Sequence, residues 1–404
     1  MKFERLAAAI VAMVIASVCS FPATALEGQW DRKSAGALIE FAQTISRHGL
    51  DPAAYDVTPL AQSLEGEDAL AVELSASELF SRLAHDLSAG VTPTDRRRRW
   101  RIEGSPLSAA AVSEAMAAAL ASGDVAAALD DLASRHPQYG SLMKALAKTP
   151  ESDRQMRLLI ARNMERWRWM PRDLGPAHIL VNAPSYDAAY YRGGEEIARH
   201  RVIIGARKSP TPQFSATVTG VTINPTWYVP QSIVDESVGA LLKNKPKEAA
   251  RLGFYVGEDG GVRQRPGPNN ALGEMKLAMA NPFSVFIHDT PFRKNFDLEK
   301  RALSHGCIRV DDALGLAAEI LGDDWDREMI DDLVRTGSTV MVDLPAPIPV
   351  YIAYFTAAAN EAGDVTAFAD IYDLDNTVLS EKRDEREPAA DRTELQTCPA
   401  DLAP

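Results

Sequence analysis

Residues Ser304-His305-Gly306-Cys307-Ile308-Arg309, with a second histidine, His288, nineteen positions before the cysteine, decide how this chain is read. The chain has three cysteines, Cys19, Cys307 and Cys398, and His288 and His305 are the only histidines in its last two hundred residues. A solitary cysteine flanked by histidine and glycine, with another histidine ending an apolar run, reads as a nucleophile rather than half of a disulfide. A thiol reacts as its thiolate, so its usual pKa of about 8.5 must fall. Two local devices can lower it. One is the dipole of a helix expected directly after the motif, Asp311 to Leu321, with Asp311 as N-cap. The other is a histidine within hydrogen-bond reach that takes the proton. His288 suits that role because it ends the apolar run Val285-Phe286-Ile287, where a strand can hold its ring. Gly306 permits a tight turn that aims N–H groups at an oxyanion. His305 orients a ring nitrogen or lines the pocket, and the planar fork of Arg309 can anchor a carboxylate. No ligand cluster has zinc-like spacing, so neither metal nor cofactor is implied. Buried cysteines are ordinarily inert packing, but that reading leaves the whole Ser-His-Gly-Cys run to chance. His48, His85, His136, His178 and His200 are read as structural.

The N-terminus carries Lys2 and Arg5, an apolar run from Leu6 to Val18, and then Ala23-Thr24-Ala25. That pattern reads as a cleavable export signal over residues 1–25, with an apolar run too short to span a bilayer. No later stretch is long and apolar enough to cross a membrane. The formal charge of −13 becomes −14 without the leader, which excludes a nucleic-acid partner. The one basic run, Arg96 to Arg99 with Arg101, reads as a solvated face, with an anionic glycan or lipid site as the alternative. Cys398 lies in a polar tail and reads as incidental.

From Ser34 to about Arg168 the apolar spacing is helical, with expected helices near 67–88, 108–122, 124–135 and 152–167. His136-Pro137 reads as a helix stop. After Pro171 the pattern changes to short strands: 178–182, 189–192, 196–205, 217–224, 284–288, 338–344, 350–356 and 365–372, with Gly193-Gly194 as a hairpin turn. Helical and then glycine-rich sequence interrupts them over about 231–268. Asn224-Pro225-Thr226-Trp227-Tyr228 reads equally well as a turn with packed aromatics or as a groove wall. The charged residues 376–404 read as a disordered acidic tail.

The motif His288-x15-Ser304-His305-Gly306-Cys307 resembles the signature of L,D-transpeptidases with the YkuD-type catalytic domain. Further similar segments are Asn224-Pro225-Thr226-Trp227, Pro266 to Gly273, His288-Asp289-Thr290-Pro291 and Arg301-Ala302-Leu303-Ser304. They point to the larger periplasmic subfamily, which has a helical scaffold and a capping insertion over the site. The chain departs from it twice. Larger members carry a peptidoglycan-binding module between segments like Tyr139-Gly140-Ser141-Leu142 and Asn163-Met164-Glu165-Arg166. Only about twenty residues separate them here, so that module is expected to be missing, and glycan affinity must come from the groove or from partner wall enzymes. Phe286 also stands where the subfamily often has tyrosine.

The resemblance implies an α+β fold: an all-helical scaffold over 26–170, then a mixed β-sandwich-like catalytic domain over 171–375 with the cap at about 231–268. It implies Cys307, His288, Gly306 and His305 as catalytic residues, with Arg309, Ser304, Trp227, Asn224, Phe286 and Asn270 binding substrate. The implied substrate is the peptide stem of peptidoglycan. Cys307 attacks the L-centre of diaminopimelate, expels D-alanine, and passes the acyl group to an amine of a second stem. Acylation by carbapenems follows from the same resemblance. A carboxypeptidase, or an enzyme attaching a protein lysine to the wall, would share the motif.

Overall fold

The computed structural model describes residues 30–379. The expected leader, Cys19, Cys398 and the tail from residue 380 lie outside the described residues. The tail was expected from Asn376, but the chain stays packed beyond that point. Val378 is buried, its carbonyl accepts from Arg162 Nε, and the Leu379 amide donates to Thr92 Oγ1.

The described residues divide into two compact units, which are not separated by a single cut along the chain. Residues 30–44, 52–84 and 108–132 form one, and residues 45–51, 85–107 and 133–379 the other. The first unit contains α1 (Arg32–Gln43), α2 (Thr58–Glu65), most of α3 (Ala69–Ala89), α4 (Ala109–Ser122) and α5 (Val125–Leu132). Its helices start where side chains satisfy the orphan amides of the first turn. Asp31 accepts from the Ser34 amide and Ser108 from that of Ala111. Leu38, Phe41, Leu60, Phe80, Leu83 and Leu129 form its fully buried apolar centre.

The second unit takes α6 (Pro137–Lys148) and α7 (Arg154–Arg168) as well as the sheet. Its strands are β1 (Trp100–Arg101), β2 (Ala177–Asn182), β3 (Asp187–Arg192), β4 (Glu195–Gly205) and β5 (Gln213–Ile223). After β6 (Trp227–Tyr228) comes an insertion of α8 (Gln231–Ile233), a π-helical turn at Val234–Val238, α9 (Gly239–Asn244) and α10 (Pro246–Arg251). It ends in β7 (Phe254–Val256) and β8 (Val262–Gln264). Then follow β9 (Met275–Ala280), β10 (Ile287–His288), β11 (Ala302–Ser304), β12 (Ile308–Val310), α11 (Ala313–Leu321), α12 (Arg327–Arg335) and β13 (Val340–Ala353). A small pair, β14 (Ala357–Ala359) and β15 (Val365–Ala367), completes the unit.

The main sheet runs β1-β5-β13-β2-β3-β4-β12-β10-β9, with β11 added on β4, and β9 also pairs with β5. The hydrogen-bonded path therefore closes on itself, so the two layers of the expected sandwich are one continuous sheet. Its interior is lined by Ile179, Val181, Val202, Ile204, Val221, Leu277, Ile287, Ile308 and Ile352, all fully buried. Burial of this kind contributes roughly 1.5–3 kcal/mol per aliphatic side chain.

Several local expectations are corrected. The segments 338–344 and 350–356 are one strand, β13, whose register against β5 shifts between Asp343 and Ile348. Pro345, Pro347 and Pro349 fall in or beside that interval, and proline has no N–H for the ladder. Only Ile287 and His288 of the expected strand 284–288 are paired. The preceding turn is held by Asn281, which bonds Met279, Phe283 and Val285, and Ser284 takes φ of 52°. The helix after the cysteine motif starts at Ala313, capped by Asp312 rather than Asp311. Strand β12 lies between it and Cys307, so the helix dipole is not adjacent to the thiol as expected.

Candidate active site

Parallel pairing of β10 with β12 sets Ile287 beside Ile308 and His288 beside Arg309. Ile287 and Ile308 point into the core with no exposure. Because side chains alternate across a strand, Phe286, His288, Cys307 and Arg309 share the opposite face. The ladder continues one step back, since the Ile308 amide donates to the Phe286 carbonyl at 2.8 Å.

Cys307 is partly exposed. The Phe286 amide donates toward its Sγ at 3.4 Å, and the thiol points at the Ser284 carbonyl at 3.8 Å. His288 is 3% exposed, and its Nδ1 lies 2.5 Å from the Asp289 carbonyl. A carbonyl can only accept, so Nδ1 carries the proton and Nε2 is left as the basic atom. Burial pushes the His288 pKa down to about 3, with the neighbouring Arg309 cation as the second cause. At neutral pH the ring is therefore uncharged.

The Asp289 that holds His288 is itself fixed from behind. Its Oδ2 accepts from the Glu274 amide at 2.8 Å. Gly273, at φ of +64°, lies so close that a Cβ there would stand 2.2 Å from that oxygen. Here glycine is required both by conformation and by space.

The turn carrying the cysteine is tied in the same way. Gly306 has φ of +121°. Its amide donates to Ser304 Oγ at 3.1 Å, and Ser304 Oγ donates to the Cys307 carbonyl at 2.6 Å. The Gly306 N–H expected to face an oxyanion is thus engaged by Ser304, which shapes the turn and is 2% exposed. Thr211 Oγ1 donates to the Gly306 carbonyl at 2.7 Å and accepts from the Gly205 amide at 2.8 Å. The Tyr372 hydroxyl donates to the Gly205 carbonyl and accepts from the Thr211 amide. Neither Thr211 nor Tyr372 carries a sequence signal that would have singled it out.

Beside the sulfur lies a groove of about 720 Å³ whose lining includes Trp227, Tyr228, Lys276, Ser284, Phe286 and Met341. The Lys276 ammonium sits 4.7 Å from the centre of the Phe286 ring. Trp227 and Phe286 are therefore groove residues. Asn224 and Asn270 are buried and bonded to backbone carbonyls of the second unit. Asn224 donates to the carbonyls of Leu333, Val334 and Ser338, and Asn270 to those of Pro225 and Arg265. Arg309 has a buried Nε with no hydrogen-bond partner, an orphaned donor one residue beyond Ile308 on the cysteine's face. His305 is half-exposed, and its Nε2 pairs with Glu236 at 2.8 Å. Among the described residues no group of three His, Cys, Asp or Glu side chains could hold a metal ion.

Residues 176–348 match the family model of the L,D-transpeptidase catalytic domain (YkuD), and residues 27–146 match that of the scaffold domain. Over residues 176–348 the chain is thus similar to the L,D-transpeptidases. A curated Haemophilus influenzae protein, provisionally named L,D-transpeptidase, is 30% identical over 240 residues, covering 54% of this chain and 48% of the relative. The chain thus spans about half the length of that relative. Similar solved structures include a mutant L,D-transpeptidase of Enterococcus faecium, at 13% identity and TM-score 0.23 over 45% of this chain and 50% of that one. L,D-transpeptidase 3 of Mycobacterium tuberculosis is 14% identical at TM-score 0.23 over 44% of this chain and 61% of its own.

Proposed function

We propose that this chain is a peptidoglycan acyltransferase in which Cys307 forms a thioester with the diaminopimelate of a tetrapeptide stem. The observation that carries the reading is the shared face of Cys307, His288 and Arg309 on β10 and β12, with Phe286 of the same face lining the groove beside the sulfur. The Cys307 sulfur attacks the carbonyl at the L-centre, and its proton passes to His288 Nε2. The C–N bond to D-alanine then breaks, and His288 returns that proton to the leaving amine. An amine of a second stem attacks the thioester, forming the amide and restoring the thiol. Backbone N–H groups beside the sulfur, those of Phe286 and Cys307, hold the oxyanion of each tetrahedral intermediate.

Burial keeps the resting imidazole neutral. A stem carboxylate bound to Arg309 would offset the cation that helps depress His288. The base then strengthens when substrate is present, and the orphaned Arg309 Nε gains an acceptor.

Export across the inner membrane by a cleaved leader over residues 1–25, and action in the periplasm, belong to the same proposal. No described helix is long and apolar enough to cross a membrane.

The test is incubation of the full chain with a defined disaccharide-tetrapeptide and separation of products by mass. Free D-alanine with a cross-linked dimer supports cross-linking, and free D-alanine with tripeptide alone makes the enzyme a hydrolase. No D-alanine, with the thiol intact, overturns the reading. Cys307→Ala abolishes product and any covalent carbapenem adduct.

A further inference from the structure

Glu236 lies in the insertion, sixty-nine residues before His305, in the π-helical turn Val234–Val238. Single π turns within helices are rare and recur at functional positions. Its Oε2 is 2.8 Å from His305 Nε2 and its Oε1 is 3.6 Å from Lys208 Nζ. Lys208 belongs to the loop after β4, and that loop also holds the cysteine turn. Ser209 Oγ donates to the Ser304 carbonyl at 3.1 Å, and Thr211 Oγ1 to that of Gly306. The glutamate therefore joins three segments at one point: the insertion, the β4 loop and the turn bearing the nucleophile.

The other end of the insertion reaches the groove. Strand β8 pairs with β6, whose Trp227 and Tyr228 are groove walls, and Arg263 of β8 sits 4.8 Å from the Tyr228 ring centre. The insertion thus runs from the aromatic wall to the residue two before Cys307. Both partners of the Glu236–His305 contact are 49% exposed. Pairs so exposed are weak and exchange readily, which suits a contact that must open for substrates and products.

Resting on the acyl-transfer reading above, we propose that Glu236 is a positioning residue. By fastening the insertion to His305 it keeps water from the thioester until the acceptor amine arrives. With the contact made, the amine attacks the thioester and gives an amide and the thiol. With it broken, water attacks and gives a free carboxylate and the thiol. Thioester formation precedes the choice and does not require the contact.

The experiment compares the full chain with Glu236→Ala, Glu236→Gln and Lys208→Ala on disaccharide-tetrapeptide, measuring D-alanine release and the ratio of dimer to tripeptide. Glu236→Ala is expected to keep D-alanine release within about twofold and lower the ratio at least fivefold. Glu236→Gln, which retains an acceptor for His305, recovers most of the ratio, and Lys208→Ala lowers it modestly. An unchanged ratio in Glu236→Ala overturns the proposal, as does loss of D-alanine release with the fold intact. If Glu236→Ala does not fold, the Glu236→Gln and Lys208→Ala ratios decide, and wild-type values in both overturn it. Absence of D-alanine release by the wild-type chain overturns instead the acyl-transfer reading beneath it.

Discussion

His288 and Arg309 stand opposite each other on adjacent parallel strands, a buried neutral ring beside a largely buried cation. The arrangement depresses the ring's basicity, burial first and the guanidinium second. Replacing Arg309 by methionine removes the second cause and leaves the first. The His288 pKa should rise from about 3 by on the order of one unit, and stay below the ordinary 6.5. The acid limb of the Cys307 alkylation profile moves up with it, because protonated imidazole cannot accept the thiol proton. The KM for tetrapeptide should also rise about tenfold, as expected when a charge-assisted carboxylate contact is lost. An imidazole titration by NMR that is the same in both proteins would refute the electrostatic part.

Gly273 tests whether the orientation of His288 depends on Asp289. A Cβ at 273 would overlap the Asp289 carboxylate. Gly273→Ala must displace the residue whose carbonyl holds His288 Nδ1, besides straining a left-handed backbone by about 1–3 kcal/mol. Thioester formation should slow by tenfold or more, while circular dichroism stays that of the wild type. Wild-type acylation in this variant would show that the carbonyl contact does not position the base.

The grouping of the candidate site's residues was legible in the sequence because its signal is local. Ser304, Gly306 and Cys307 lie on one turn, and His288 stands beside the strand that turn leads into. Glu236 and Thr211 were not legible, since their partners lie sixty-nine and ninety-five residues away and each is an ordinary residue in its own segment. The fold shows the same division. Helices α3, α4 and α7 followed from apolar spacing, but α6 was missed because Pro137 was read as a stop. It is the first residue of α6, where a missing N–H costs nothing, and His136 Nδ1 caps it by accepting from the Gln138 amide. Closure of the sheet through β5 and β9 joins segments about sixty residues apart, and no periodicity announces it.

His200 links the sheet to the helix that follows the cysteine motif. Its Nε2 lies 3.1 Å from Glu319 of α11 and its Nδ1 3.7 Å from Asp311. Although burial opposes the charge, the two carboxylates raise the His200 pKa to about 9, and Asp311 falls to about 2. The folded protein thus holds a proton on His200 that the unfolded chain releases above 6.5. The stability this gives is fully present below pH 6.5, declines as pH rises, and is gone above about 9. A rise from 6.5 to about 9 corresponds to at most about 3.4 kcal/mol, and to less where solvent screens the partly exposed carboxylates. Urea midpoints should fall between pH 6.5 and 9.5 in the wild type and fall less in His200→Gln. Parallel curves for the two proteins would mean that His200 is not charged in the fold.

The ion pair at the end of α7 gives the largest expected loss. Glu165 and Arg168 side chains have no exposure, and their charged atoms lie 3.0 Å apart. Glu165 also accepts from the Thr92 amide at 2.7 Å and the Trp169 indole at 3.1 Å, while Arg168 donates to the Tyr139 hydroxyl and the His48 carbonyl. One carboxylate therefore fastens the 85–107 segment to α7, and the guanidinium fastens α6 and the 45–51 turn to the same helix. Glu165→Gln leaves a positive charge buried without its counterion and should cost about 3–5 kcal/mol, measured as the loss of unfolding free energy in urea. Removing both charges, as in Glu165→Gln with Arg168→Met, takes away that uncompensated charge, so the double variant should lose less than the two single losses combined. Strictly additive losses would mean that the two groups act through their separate hydrogen bonds, and that their attraction contributes nothing to holding α7 in place.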